Sequence, residues 1–427
     1  MKRVLVVQLA RFGDLLQTRR LLASLAARDM SSAAPELHLL VDASLLPLAG
    51  LAYPGVIAHG LAAHGPGNAA GADDPSALAR VLGNRATFAE LSALRFDRVY
   101  VLNHSGLARA VSTLFDPDIV RGHLLTHGQP VKDPWPALAF RFMATRRETG
   151  LNLMDFWAAF AGRMAPPDTV NPRATPKGGG IGVVLAGREA RRSLPPQVLA
   201  PLLTAAFSRV AAKRIVLLGT ADQAPAARAL CRLLRPAVAE HVLDLSGKTD
   251  MGGLFREIAA LDELFTPDTG AMHLAAHLGT PVTAFFLSSA WCHETGPYGH
   301  GHTVWQALTP CAPCLETAAC EHGLVCRDPF ADARLARLVA GSAKTAPPPG
   351  LVGYHTGTDA LGAVCEPFAG EDQTAPARRA FRAFVAEHLG VGHGLGADPG
   401  LGARYYQEPD WMLDRGPLAG RGFVETL

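Results

Sequence analysis

No uninterrupted apolar stretch in the 427-residue chain reaches the roughly 18 residues that a membrane-crossing helix requires, which excludes an integral helical membrane protein. Charge of one sign is also in short supply: 40 basic against 38 acidic residues leave a formal +2, too little for a nucleic-acid partner held by bulk charge. Local basic patches can still meet phosphates or an anionic membrane surface. The start also does not read as a secretory leader, because Gln8 breaks the apolar run of MKRVLVVQLARFGD and no small-residue cleavage site follows. The stretch reads as a first strand, and a cytoplasmic protein is expected. Finally, no G-x-G-x-x-G loop follows either this strand or the run IGVVLAG, which ranks an NAD-dependent oxidoreductase last among the readings.

What is present describes a globular α/β chain, with 48% hydrophobic and 18% charged residues. Its length exceeds one ordinary core, so two domains with an appendage are expected. VLVVQL, LHLLVD and RVYVLN are Val- and Leu-rich runs separated by helical spacing such as LLQTRRLLASLAAR, which puts Leu15, Leu22 and Leu25 near one face. Strand alternating with helix predicts a doubly wound, mostly parallel sheet. AAHGPGNAAGADDPSALA, residues 62–79, reads as a loop or insertion. Pro and Gly concentrate in MAPPDTVNPRATPKGGG, residues 164–180, the expected linker. The alternation then restarts through IGVVLAG, IVLLGT, HVLDLSG, ELFTPD and VTAFFL, with a helix expected from Gly253 to Leu261. The expected division is 1–170, 171–340 and an extension at 341–427 with a crossing helix.

The chemistry begins at RFGDLLQT, residues 11–18, where a glycine directly after the first strand is followed by Asp14. Asp14 either caps the following helix or projects a carboxylate into a cleft, and the residues alone leave both open. In ELFTPDTGAMHLAAHLGTPVTAFF, residues 263–286, a strand is expected to end at Thr266 and Asp268-Thr269-Gly270 to turn into a helix. Such a helix start, with free amides and the positive dipole end, binds phosphate without a lysine. His273, one turn in, can donate to a diphosphate oxygen or simply pack. LAGREARRSLPP adds Arg188, Arg191 and Arg192, and LSGKTD adds Lys248. Each alone reads as a solvated loop charge, while together they are expected to surround one place.

This ordered set, from the GD pair through the basic loop and LSGKTD to PDTGAMHLAAHLGTP and GPYG, resembles the family 9 glycosyltransferases. These include the ADP-heptose:lipopolysaccharide heptosyltransferases, and the likeness runs over about residues 1–335. It implies the GT-B fold, two Rossmann-like domains facing a central cleft, with the acceptor bound mainly by the first and the nucleotide sugar by the second. It further implies inverting, metal-independent transfer of heptose or a related sugar from an ADP-sugar to a lipopolysaccharide core or similar cell-surface glycan, at the inner face of the cytoplasmic membrane. Asp14 would be the general base; Arg188, Arg192, Lys248, Asp268, Thr269, Gly270 and His273 would bind the donor. Arg11, Gly13, Asn103 and His104 would face the acceptor. No cofactor beyond the nucleotide sugar is implied. Departures from the family pattern are Leu194 for a tryptophan, Arg19-Arg20 for a Leu-Pro pair, and the loop SSAWCHETGPYG. The competing reading is a noncatalytic nucleotide-sugar-binding homologue, against which Asp14 and the basic loop argue.

Among seven cysteines, Cys311, Cys314, Cys320 and Cys326 form a C-x2-C-x5-C-x5-C arrangement with His322 as a spare ligand. Four such thiols can hold a structural zinc, or stay reduced and line a loop. A cytoplasmic location disfavours disulfides. Cys231 reads as a core residue, while Cys292 and Cys365 have no visible partner.

Overall fold

A computed structural model of the chain describes residues 2–27, 34–63, 75–187, 190–392 and 398–406. The first half builds a six-stranded sheet from β1 (Arg3–Gln8), β2 (Glu36–Asp42), β3 (Ile57–Leu61), β4 (Arg98–Val101), β5 (Val120–Thr126) and β6 (Gln129–Lys132). Its order is β3-β2-β1-β4-β5-β6, parallel except for β6 against β5. The second half builds an eight-stranded sheet from β7 (Ile181–Val184), β8 (Ile215–Leu218), β9 (Val242–Asp244), β10 (Glu263–Pro267), β11 (Val282–Phe286), β12 (Thr303–Ala307), β13 (Leu351–Thr358) and β14 (Ala363–Ala369). The order is β14-β13-β12-β11-β10-β7-β8-β9, with β13 and β14 antiparallel to their neighbours.

Each sheet reverses its direction of growth once, between β1 and β4 in the first and between β7 and β10 in the second. Strands flanking such a reversal send their following loops to opposite faces and leave a crevice at their carboxyl ends. RFGD follows β1, Asn103-His104 follow β4, the basic loop follows β7 and Asp268-Thr269-Gly270 follow β10. The strands are buried on both faces because helices cover both sides, which is why they read as continuous Val/Leu runs.

The two halves share apolar contact through the helices Phe12–Gln17 and Gly270–Leu278. Leu15 and Leu16 from one, and Ala271, Met272, Leu274 and Ala275 from the other, belong to one buried cluster with strand residues of both sheets. The expected helical face holds, with Leu15 at 0% and Leu22 at 5% exposure and Leu25 packed at the edge, although Thr18 divides the run into two short helices.

Three segments differ from the reading of the sequence. The Pro/Gly stretch at 164–180 is fastened along the second half: the Ala174 and Thr175 amides donate to the His300 and Gly279 carbonyls, both at 3.0 Å. Gly178 and Gly180 donate to the Asp262 carboxylate at 2.5 and 2.9 Å. Residues 75–79, expected in a loop, begin the helix Pro75–Ala93, and 64–74 lie outside the described residues. Residues 351–369 extend the second sheet as β13 and β14. The helix Ala375–His388 then packs against the first half, with Phe381 edge-on to Phe142 at 4.8 Å between centroids.

Candidate active site

Helix Phe12–Gln17 starts directly after β1, so Asp14 stands one turn into it at the crevice. The Arg11 amide donates to Asp14 Oδ2 at 3.0 Å, an N-terminal cap of the kind the sequence allowed. The other end is closed by the Tyr53 hydroxyl, which donates to the Leu15 and Leu16 carbonyls, each at 2.9 Å. Capping one amide uses one carboxylate oxygen and leaves the other. Burial pushes the Asp14 carboxyl above the usual carboxylate range; the Arg11 amide and guanidinium oppose this, while the charges of Asp268 and Glu316 add to it.

Across the crevice Thr269 caps the helix Gly270–Leu278, its hydroxyl accepting from the Met272 amide, and Gly279 ends that helix in the left-handed conformation at φ 68°. Asp268 is held by the Arg192 guanidinium and by the Thr295 hydroxyl at 3.0 Å. His273 lies 3.8 Å from Asp268 through Nε2. Gln17 Nε2 stands 3.1 Å from Nε2 and 3.3 Å from Nδ1 of the same ring, so the amide donates to whichever nitrogen is unprotonated. Burial, with Arg192 adding and Asp268 opposing, depresses the His273 imidazole to about 4, so it is neutral near pH 7 and offers one N–H. At Gly13 the halves approach closely: a β-carbon on it would lie 2.9 Å from His273 Cδ2. Asp14, Arg192, Asp268, Thr269, Gly270 and His273 therefore line one crevice.

Other expected residues lie elsewhere or are already engaged. Lys248 follows β9, three strand positions from β10, or about 14 Å across the sheet, and donates to the Asp244 carbonyl at 2.7 Å. The charges after β7 and β9 thus do not meet at one point, because the strand order separates them. Asn103 is engaged within the first sheet: its amide group donates to Gln8 Oε1 at 2.5 Å and accepts from the Leu9 amide at 2.6 Å, joining the ends of β4 and β1. His104 is exposed beside Phe140 and His123. Arg188 lies outside the described residues. The sequence contains one Asp-x-Asp pair, Asp116 and Asp118, but it sits before β5, at the end of the strand remote from the crevice, where Asp116 caps a single turn.

Glu316 carries no signal in the sequence beyond the cysteine spacing around it, yet it reaches over the crevice, 3.4 Å from Arg11 Nη1 and 4.0 Å from Arg192 Nη1. Its loop is gripped by arginines of both halves. Arg146 and Arg147 donate to the carbonyls of Cys314 and Ala312, and Arg191 donates to those of Leu315, Glu316 and Ala318. Arg191 is thereby committed to backbone where a phosphate contact was expected. The cysteine spacing does not close into a cluster either: among the described residues no three of Cys311, Cys314, Cys320 and Cys326 bring their sulfurs within 4.8 Å of one another. Cys326 is buried in the second core while Cys320 is exposed.

Residues 205–324 match the sequence model of the family described as glycosyltransferase family 9 (heptosyltransferase). No curated protein matches. Among solved structures, E. coli ADP-heptose LPS heptosyltransferase II is similar at 19% identity and a TM-score of 0.51, over 71% of this chain and 90% of that one. The family 9 glycosyl transferase from Veillonella parvula DSM 2008 is similar at 14% identity and a TM-score of 0.55, over 80% and 96%. E. coli heptosyltransferase WaaC with ADP gives 17% and 0.54, over 71% and 93%. At such identities the structural likeness speaks for the fold, and the family match speaks for residues 205–324. The chain has the GT-B fold of these structures, and its residues 205–324 carry the match to the glycosyltransferase family 9 (heptosyltransferase) model.

Proposed function

We propose that the protein transfers a heptose or closely related sugar from an ADP-sugar to a lipopolysaccharide core or similar cell-surface glycan, with inversion and without a metal ion at the diphosphate. In this reading the acceptor hydroxyl gives its proton to the Asp14 carboxylate as its oxygen bonds to the anomeric carbon and the bond to the diphosphate breaks. ADP leaves with added negative charge. The amides opening the helix Gly270–Leu278, the Arg192 guanidinium and the neutral His273 N–H would stabilise that charge electrostatically. Residues up to about 170 would hold the acceptor and 171–340 the donor, with Arg11 and Gly13 on the acceptor side and Lys248 toward the nucleoside end. The work would be done by a cytoplasmic protein at the inner membrane face, and no helix among the described residues is long and apolar enough to cross a membrane.

The observation that carries the reading is the Asp14 carboxylate, raised by burial and by its acidic neighbours, facing the Arg192–Asp268–His273 group across the crevice. A raised carboxylate is a stronger base for a hydroxyl than an exposed one. The test is calorimetric titration with ADP, UDP and GDP, followed by a transfer assay with ADP-heptose. Selective ADP binding, weakened by Arg192→Ala and His273→Ala, is expected. Preference for UDP or GDP would remove the heptose assignment, and absence of nucleotide binding would leave the noncatalytic homologue.

A further inference from the structure

We infer that Cys292, His293 and Cys365 form a binding site for a single zinc-class divalent cation that ties the loop after β11 to strand β14. Their ligand atoms, two sulfurs and a ring nitrogen, all lie within 4.8 Å of one another, although Cys365 is 73 residues away from Cys292 in sequence. A tetrahedral ion at about 2.3 Å from sulfur and about 2.0 Å from nitrogen would set such atoms roughly 3.5–4 Å apart, a small closure from the present geometry. His293 Nε2 is buried without a hydrogen-bond partner, although its ring is fixed edge-on to Tyr354 at 5.2 Å. An orphaned imidazole nitrogen beside two thiols is the donor set a borderline-soft cation takes.

The surroundings fit thiolate ligands. Arg378 and Arg382 line the same cavity as these three residues, so two thiolates bound to an ion there would sit beside positive charge. Two thiolates and a neutral imidazole around a dication carry no net charge, so the ion adds no charge to repel those arginines. Asn152 and Glu366 line the same cavity, so Glu366 or a water can supply the fourth position. An ion here would brace the crevice, because Thr295, three residues from Cys292, donates to Asp268, and Glu294 pairs with Arg146. The site lies apart from Cys311, Cys314, Cys320 and Cys326.

The experiment uses the full chain, reduced with a phosphine, stripped with a chelator and titrated with Co2+ as the spectroscopic probe. One equivalent giving a sulfur-to-cobalt charge-transfer band is expected, displaced by Zn2+. The band should be lost in Cys365→Ser. In His293→Asn it should weaken, with at least tenfold poorer binding, while Cys320→Ser and Cys311→Ser leave it unchanged. Circular dichroism of each stripped variant separates loss of a ligand from loss of the fold. Zn2+ should raise the melting temperature of the native chain but not of Cys365→Ser. Absence of the band, its survival in Cys365→Ser, or its loss in Cys311→Ser would each overturn the proposal. So would a Cys292–Cys365 disulfide that, once reduced, leaves a protein indifferent to either ion. Nucleotide titration is independent of every one of these readouts.

Discussion

A β-carbon on Gly270 would lie 2.2 Å from Phe12 Cδ1, so the first residue of the helix after β10 has room for no side chain against the first half. Gly270→Ala must therefore push Phe12 aside or part the two helices, at a cost of about 1–3 kcal/mol. Gly50, inside the helix Leu46–Ala52, is the control, since a methyl added there would meet nothing within 4 Å. Gly50→Ala should stabilise by roughly 0.5–1 kcal/mol. Urea unfolding of both variants checks the opposite signs.

Asp14→Asn keeps the side-chain shape and the cap on the Arg11 amide but removes the basic carboxylate. Turnover should fall by about 10²–10⁴-fold. Donor affinity should stay nearly unchanged, since the proposed donor-binding residues lie on the other half. Single-turnover kinetics with calorimetry separates the two, and full turnover in Asp14→Asn would remove Asp14 from the chemistry.

Glu316 adds negative charge beside Asp14 and so helps to hold its carboxyl above the usual range. Glu316→Gln removes that charge and frees Arg11 from its pair, and both changes favour ionised Asp14. The acid limb of kcat/KM should move to lower pH. An unmoved or upward-shifted limb would show that Asp14 does not set it.

Arg20 has no access to solvent beyond 1% and donates to Asp155 Oδ1 and the Leu361 carbonyl, both at 2.6 Å, and to the Ala165 carbonyl at 3.0 Å. Asp155 also receives the Tyr298 hydroxyl at 2.7 Å and the Ala363 amide at 2.9 Å. Arg20→Ala strands that carboxylate without its cation and should destabilise by about 3–5 kcal/mol. The fall in melting temperature should exceed that of Arg11→Ala, whose guanidinium is exposed.

Buried histidines should make the fold acid-labile. Burial depresses His273 and His123 to about 4 and His277 and His302 to about 3, below the unfolded value near 6.5. The unfolded chain then binds more protons as pH falls, so the stability these groups contribute is full above about pH 6.5 and is lost on descending toward pH 4. The urea midpoint should drop between pH 7 and pH 5, and a flat profile would contradict the burial of these rings as neutral groups.

Much of the fold was legible because doubly wound sheets advertise themselves. VLVVQ, IGVV, IVLL and VTAFF are buried on both faces and so lose their polar alternation, which marks them as parallel strands from sequence alone. The turn Asp268-Thr269-Gly270 was readable for a related reason, since strand, cap and helix start are local events that these residue types dictate. β13 and β14 were not, because an antiparallel pair at a sheet edge gains its meaning from β12, a neighbour some forty residues back along the chain.

At the crevice the same division holds. The sequence by itself determined that an aspartate stands after β1 and that a capped helix follows β10, because both depend on chain neighbours. Tertiary structure alone decided which charges meet. Strand order carried Lys248 three positions away and left Arg192 on Asp268. Chain folding brought Glu316 over Arg11, 305 residues distant. It also used both ends of the Asn103 amide to join β1 to β4. Long-range contacts select among charged side chains that look equivalent along the chain, since a guanidinium or carboxylate acquires its role from the partner and the burial it meets.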